Sequence, residues 1–372
     1  MAMIKIIRNE EQFRALKPEW DNLIAANQEA RVFQTFDLNY AVWSSGYHKG
    51  DKLYILRAIR EGHPDSCVIF PFCIRSGGRL EFIASELADV LDVVYARAGK
   101  NWHILFSEVA KFIMEQPEVH SFAFEKLEDS SDLLRYFGAY LISCNIQHAQ
   151  SISYLAVGRT ADFAAALIHL PSKDRSYVRS LLKNKTGFRF RLYAKMLGDE
   201  FPVSKIKALR DEMIGSGVRK YVSVSDNAVS CMAYLFDQGC CEVAALLDER
   251  GDLSIASFRL IEKNHINFWV VLYRDRKLVT LCDALYMAEK VKTGPWLFDW
   301  GLGLYSYKLG TFRPEVQHLY SLRSHPLTVS NFIKDEVGLS RIYLKCWLGR
   351  ISPSVVVAIK KVFALVRGDN KR

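Results

Sequence analysis

The chain has 372 residues, 50% of them hydrophobic and 12% aromatic, which is material for two domains with substantial cores and excludes a disordered polymer. A net charge of +9 suits an anionic partner, whether nucleic acid, a membrane surface or a phosphorylated substrate, while no window is apolar for long enough to cross a bilayer. The surplus is concentrated: Lys173, Arg175, Arg179, Lys183, Lys185, Arg189 and Arg191 share one stretch with Asp174 alone, and Arg341 to Arg372 holds eight Lys or Arg against Asp369.

The opening Met1-Ala2-Met3-Ile4-Lys5-Ile6-Ile7 reads directly into a strand and has neither the apolar core nor the cleavage site of a signal peptide. Asn9-Glu10-Glu11-Gln12 has the form of a capping box, and Phe13, Leu16, Trp20, Leu23 and Ile24 follow at helical spacing, with Pro18 dividing the segment into two short helices. Leu53 to Arg60, Ser66 to Arg75 and Arg79 to Ala84 read as strands, followed by a helix near Leu105 to Glu115 and a strand near Val119 to Glu125. A helix from Asp132 to about Ser143 and a strand from Ser151 to Val157 close the first half.

The second half has the same order. Strands at Glu242 to Leu247, Leu253 to Leu260 and Ile266 to Leu272 precede a helix from Leu278 to Lys292, a strand at Trp296, a short helix from about Tyr307 and a strand near Val316 to Leu322. Helices at Val203 to Met213 and Asn227 to Gln238 match the pair that opens the first half. The repeated order predicts a duplicated α/β unit, with residues 1–158 and 159–325 as the two copies and 326–372 as a basic helical tail. In that tail Ile351, Val355, Ile359, Val362 and Val366 fall on one helical face, a pattern suited to contact with a membrane surface.

Eight cysteines include no C-x-x-C pair and no Cys/His cluster at zinc spacing, so no metal is expected and a reducing cytoplasm is the expected setting. The stretch from Trp296 to Phe312 is the best site candidate. Its strand ends on Asp299 and opens into Gly301 and Gly303, then Tyr307-Lys308 and Gly310; glycines there let main-chain N–H groups approach a ligand, or simply allow a tight turn that Asp299 caps.

Three stretches resemble the CelD/BcsL-like acetyltransferases, relatives of the GNAT and FemAB folds associated with exopolysaccharide biosynthesis. They are Leu80-Glu81-Phe82-Ile83-Ala84 followed by Asp89 and Asp92, the basic segment Ser172 to Arg179, and the D-F-x-x-G-x-x-x-Y-K pattern with Asp299, Gly303, Tyr307 and Lys308 at matching positions. The likeness implies tandem GNAT-like domains, each a mixed, mainly antiparallel sheet flanked by helices, and transfer of an acyl group, usually acetyl from acetyl-CoA, to an amine or hydroxyl of a sugar or polysaccharide precursor. In that fold the cofactor's pyrophosphate sits at a helix N-terminus after the fourth strand, here the loop with Arg274, Arg276 and Lys277. The glycine-rich loop of the fold is absent there, and Leu304 and Tyr305 stand where the family places acidic residues.

Acyl transfer needs a base, a donor for the carbonyl oxygen and a proton for the leaving group. On the resemblance, Asp299 serves as base or holds a partner, Tyr307 donates the proton and Lys308 binds the anionic end. Glu242 is a second base candidate, set against an exposed strand end. His265 and His103 sit in turn or helix-start contexts without a catalytic neighbour in sequence. Asp89, Arg175, Arg179 and Gly303 are assigned to substrate binding, with a solvated loop and a solvated helix face as the plainer readings. FemAB-like aminoacyl transfer from tRNA and a catalytically silent binding module are the rivals. Nucleic acid ranks low because the basic segment lacks clustered aromatics.

Overall fold

The computed structural model describes residues 2–96, 102–137, 144–183, 187–216, 224–303 and 311–324. The side chain of Asn9 accepts the Gln12 N–H and caps helix α1 (Glu10–Ala15), and Pro18 falls in the first turn of α2 (Lys17–Ala26), where its missing N–H costs nothing. Thr35 caps a further helix, α3 (Phe36–Ser44), which the sequence reading did not expect.

Strand β1 (Ala2–Ile7) pairs with β3 (Ile55–Arg60), β3 with β4 (His63–Phe70) and β4 with β7 (Val94–Tyr95), forming a four-stranded antiparallel sheet. Two expected strands are each divided. Leu53 belongs to β2 (Lys52–Leu53) and Phe72 to β5 (Phe72–Arg75), both in a second sheet with β6 (Arg79–Phe82). The break falls at Pro71, which has no N–H to continue a ladder, and one bond from Tyr54 N–H to the Phe72 carbonyl at 3.1 Å spans it.

The second sheet has eleven strands in the order β10-β11-β12-β13-β14-β9-β15-β8-β6-β5-β2. The first half adds helix α4 (Trp102–Met114), β8 (Ser121–Glu128) and β9 (Cys144–Val157). Of the helix expected from Asp132, a π-helical turn at Leu133–Phe137 is described. The second half contributes α5 (Phe163–Ala166), α6 (Ser172–Lys183), β10 (Arg189–Tyr193), α7 (Val203–Gly215), α8 (Asp226–Asp237), β11 (Cys241–Leu247), β12 (Leu253–Glu262), β13 (His265–Tyr273), α9 (Lys277–Lys290), β14 (Trp296–Leu302) and β15 (Glu315–Ser324). The pairs β6–β8 and β13–β14 are parallel and every other neighbouring pair is antiparallel.

The molecule is therefore an α/β protein of mixed, mainly antiparallel sheets flanked by helices. The basic stretch is not one helix: it is helical to Lys183, and Arg189 and Arg191 lie on the edge strand β10. Among the described residues no helix is long and apolar enough to cross a membrane, and no group of three or more His, Cys, Asp or Glu is placed to hold a metal ion. The tail lies outside the described residues.

Candidate functional site

The parallel ladder between β13 and β14 runs only from His265 opposite Leu297 to Asn267 opposite Asp299. Beyond it both strands continue, and they part. A bulge on β13 coincides with the parting, because Arg259 faces Phe268 while Phe258 faces Val270, leaving Trp269 as the extra residue. A bulge holds main-chain groups out of the ladder and re-aims a side chain. The first half closes over this opening: Trp269 Nε1 donates to the Leu87 carbonyl at 2.7 Å and Asn267 Nδ2 to Asp89 Oδ2 at 3.4 Å.

Asp299 ends the paired stretch with no exposed surface. Its Oδ1 accepts the Gly301 N–H at 2.7 Å, and its Oδ2 lies 3.5 Å from Arg31 Nη1 and 3.6 Å from His265 Nε2. Burial alone would push this carboxyl up, but His265, Arg31 and the Gly301 amide outweigh it and hold the group below the ordinary range, so it is ionised. Gly301 and Gly303 have φ of +65° and +88°, a region that disfavours a side chain. A Cβ on Gly301 would also run into the Asp89 carboxylate, so this glycine leaves room for that side chain against the turn. Gly303 N–H donates to the Ser151 carbonyl on β9 at 2.8 Å.

Arg31 joins these groups. It precedes the short turn Val32–Gln34, where the Gln34 side chain accepts the Arg31 N–H at 2.9 Å. Its Nη2 donates to Glu128 on β8 and stands 3.5 Å from Gln317 on β15, while Nη1 stands 3.2 Å from His265 Nε2. His265 Nε2 thus faces both the Arg31 guanidinium and the Asp299 carboxylate, and the ring's other nitrogen, Nδ1, meets neither. That Nδ1 is buried and has no hydrogen-bond partner among the described residues, as is Asn267 Oδ1. Two unsatisfied polar atoms at one strand opening are costly unless a ligand or water meets them.

On the other side of Arg31 a small pocket is lined by Asn27, Glu29, Gln34, Val90, Asp92, Tyr95 and Glu128. Asp92 accepts the Val93 N–H at 2.8 Å and the Ser131 hydroxyl at 3.0 Å. Burial, with Glu128 and Asp132 adding to it, pushes its carboxyl up to about 7 against those two hydrogen bonds.

The structure thus brings together Asp299, Gly303 and Asp89 from the sequence-based set. Tyr307 and Lys308 lie outside the described residues. Arg274 stands just past the end of β13, seven positions beyond Asn267 or about 23 Å along an extended chain, and is engaged by Glu212 at 2.9 Å and Asp248 at 2.8 Å. Arg276 and Lys277 are exposed at the start of α9, where the Asp275 side chain accepts the Lys277 N–H. Arg175 and Arg179 are on α6. Glu242 is not at an exposed strand end: it is 4% exposed and accepts from Tyr286 Oη at 2.8 Å and Lys290 Nζ at 2.9 Å. Asp89 and Asp92 are half-buried rather than on a solvated loop. Sequence reasoning did not single out Arg31, Glu128 or Asn267, and it set His265 aside as a turn residue. The one available signal was the histidine at the head of the strand that runs parallel to the Asp299 strand.

No protein-family model matches the sequence, and no curated protein matches it. Solved structures do. The C-terminal domain of a protein described as a lysylphosphatidylglycerol synthetase from Agrobacterium fabrum superposes with a TM-score of 0.56 at 10% identity, over 88% of this chain and 96% of its own. L-PGS from Bacillus licheniformis gives 0.54 at 12% identity, over 90% of this chain and 96% of its own. FemX gives 0.53 at 10%, over 85% and 96%. This chain shares the fold of these three proteins. At these identities the similarity is one of fold, and residue roles rest on the geometry above.

Proposed function

We propose that this chain is an acyltransferase that passes an acyl group from an activated ester or thioester to an amine or hydroxyl, with its reacting centre where β13 and β14 part. The observation that carries the reading is the junction itself: a buried, ionised Asp299 beside Arg31 and His265 at a strand opening in which His265 Nδ1 and Asn267 Oδ1 have no hydrogen-bond partner among the described residues. In this reading Asp89 accepts the proton of the attacking amine or hydroxyl and delivers it to the departing alkoxide or thiolate as the bond from that group to the acyl carbon breaks. The His265 Nδ1–H donates to the acyl carbonyl oxygen as it gains charge, assisted by main-chain N–H groups freed at the Trp269 bulge. Asp299 is too stabilised as an anion to serve as the base; it positions the other two.

The CelD/BcsL resemblance supports acetyl-CoA as donor and a sugar or polysaccharide precursor as acceptor. Engagement of Arg274 by two carboxylates, in a loop without glycine, instead favours a donor that does not place a pyrophosphate there. A structural neighbour named for making a lysyl ester of a lipid supports an aminoacyl donor. Incubating the protein with labelled acetyl-CoA and with aminoacylated RNA, against amino-sugar and hydroxyl acceptors, tests both. His265→Gln should lower turnover by about two to four orders of magnitude with little change in melting temperature. Full activity in that variant would remove His265 from the chemistry.

A further inference from the structure

The basic helix α6 has no part in the chemistry above, yet it is joined to the Asp299 strand. Asp174 pairs with Arg313 at 2.7 Å, His169 Nε2 lies 2.8 Å from the Phe312 carbonyl, and the Phe312 ring stacks on Trp300, the residue after Asp299, with centroids 5.5 Å apart. One end of α6 is therefore fixed beside the chain that leaves the site.

Around that helix the residues sort by angle at about 100° each. Val178, Leu181 and Leu182 occupy one side, where Val178 is buried, and α6 packs on α9. The remaining arc carries Arg175, Arg179, Lys183, Ser176, Ser180 and Lys173 in succession, with Tyr177, 52% exposed, at its margin. Ser176, Arg179, Ser180 and Lys183 line an open, shallow depression. The only carboxylate on the helix, Asp174, is engaged by Arg313, and among the described residues no carboxylate forms an ion pair with Lys173, Arg179 or Lys183.

We propose that α6 is a docking surface for the phosphate backbone at the single-stranded end of an RNA, lying along the helix toward Asp299. The inference rests on the acyl-transfer reading and specifies its donor. The cations run about 15 Å from Lys173 to Lys183, far enough to meet several successive phosphates of one strand, whereas the pyrophosphate of a nucleotide cofactor needs a single helix terminus. Hydroxyls alternate with the cations and supply phosphate hydrogen bonds, and Tyr177 offers a face for one base. The sequence alone ranked RNA low for want of clustered aromatics; a single stacking ring beside a phosphate track is sufficient for a terminal nucleotide.

The test is fluorescence anisotropy of the full chain with a labelled RNA hairpin ending in a short single-stranded 3′ tail, measured over a range of salt. For Arg179→Gln/Lys183→Gln, two lost phosphate contacts at ~0.7 each should lower the slope of log K against log salt by about 1.4, with melting unchanged. Asp299→Asn should retain RNA binding whether or not it transfers an acyl group, so failure of the transfer reading is distinguishable from failure of this one. An unaltered slope in the double variant overturns the proposal. So does loss of binding to phosphatidylglycerol vesicles in that variant while RNA binding is untouched, because the helix would then serve a membrane.

Discussion

Asp92 makes the stability of the first half depend on pH. Its carboxyl is pushed up to about 7 by burial beside Glu128 and Asp132, from an ordinary value of 3.8. Between those values the folded state binds more protons than the unfolded state, so stability falls as pH rises through that window and levels off above about 7. Asp92→Asn keeps an oxygen for the Val93 N–H and the Ser131 hydroxyl but cannot ionise. For a half-buried group, the variant should gain on the order of 1–2 kcal/mol at pH 8 and nothing near pH 4. Urea midpoints at the two pH values check this, and an equal change at both would show that ionisation is not the cause. At this scale the sequence made part of the site legible. Asp299, Gly301 and Gly303 stand out because the requirement for positive φ and a carboxylate at a strand end is local. Arg31, Glu128 and His265 do not, because each becomes functional only through partners that the fold brings from distant segments.

Among the elements, the loop between β6 and β7 decides what the strand opening admits, and Lys126 holds that loop. Lys126 is buried, with a left-handed φ of +62°, and its Nζ donates to the Ser85 carbonyl at 2.6 Å and the Ala88 carbonyl at 2.7 Å. Burial lowers its pKa. Between those two anchors sits Leu87, whose carbonyl takes the Trp269 indole, and Asp89 follows immediately. Lys126→Met keeps the length and burial of the side chain but leaves both carbonyls unmet, a loss of about 2–4 kcal/mol. Amide exchange should quicken across residues 84–91 more than in β11 or β12, and unchanged exchange there would show the loop to be held by other contacts. Period and punctuation made most elements legible, including the three strands and the helix of the second half. The exceptions have physical causes. Pro71 divides a run that is apolar on both sides of it, β10 is hidden by the cations an edge strand tolerates, and α3 is buried on most sides with the polar Asn39 among its buried residues, so it shows no helical stripe.

Across the whole molecule the strand order has a symmetry that the sequence order conceals. Reading inward from one side, the parallel pair β13–β14 is followed by β9, which belongs to the first half. From the other side, the parallel pair β6–β8 is followed by β15, which belongs to the second. The two strands then pair with each other at the centre, from Glu315 opposite Tyr154 to Ser324 opposite Cys144. We propose that residues 1–158 and 159–325 are two copies of one unit, each completed by the final strand of the other. The contacts between them at the site fit that exchange: Arg31 reaches Asp299, Trp269 reaches Leu87, and Lys263 Nζ donates to the carbonyls of Ile24 and Asn27 at 2.8 Å. An isolated first half would leave β8 without its antiparallel neighbour and the long β9 unpaired on both edges, exposing three rows of main-chain groups. Residues 1–158 and 159–372 made separately should therefore fail to unfold cooperatively as monomers, while co-expression should restore one transition and the near-ultraviolet signal of Trp269 and Trp300. A monomeric first fragment that folds by itself would show that the halves are independent, and the Asp299 site would then be an interface rather than the shared core of one fold.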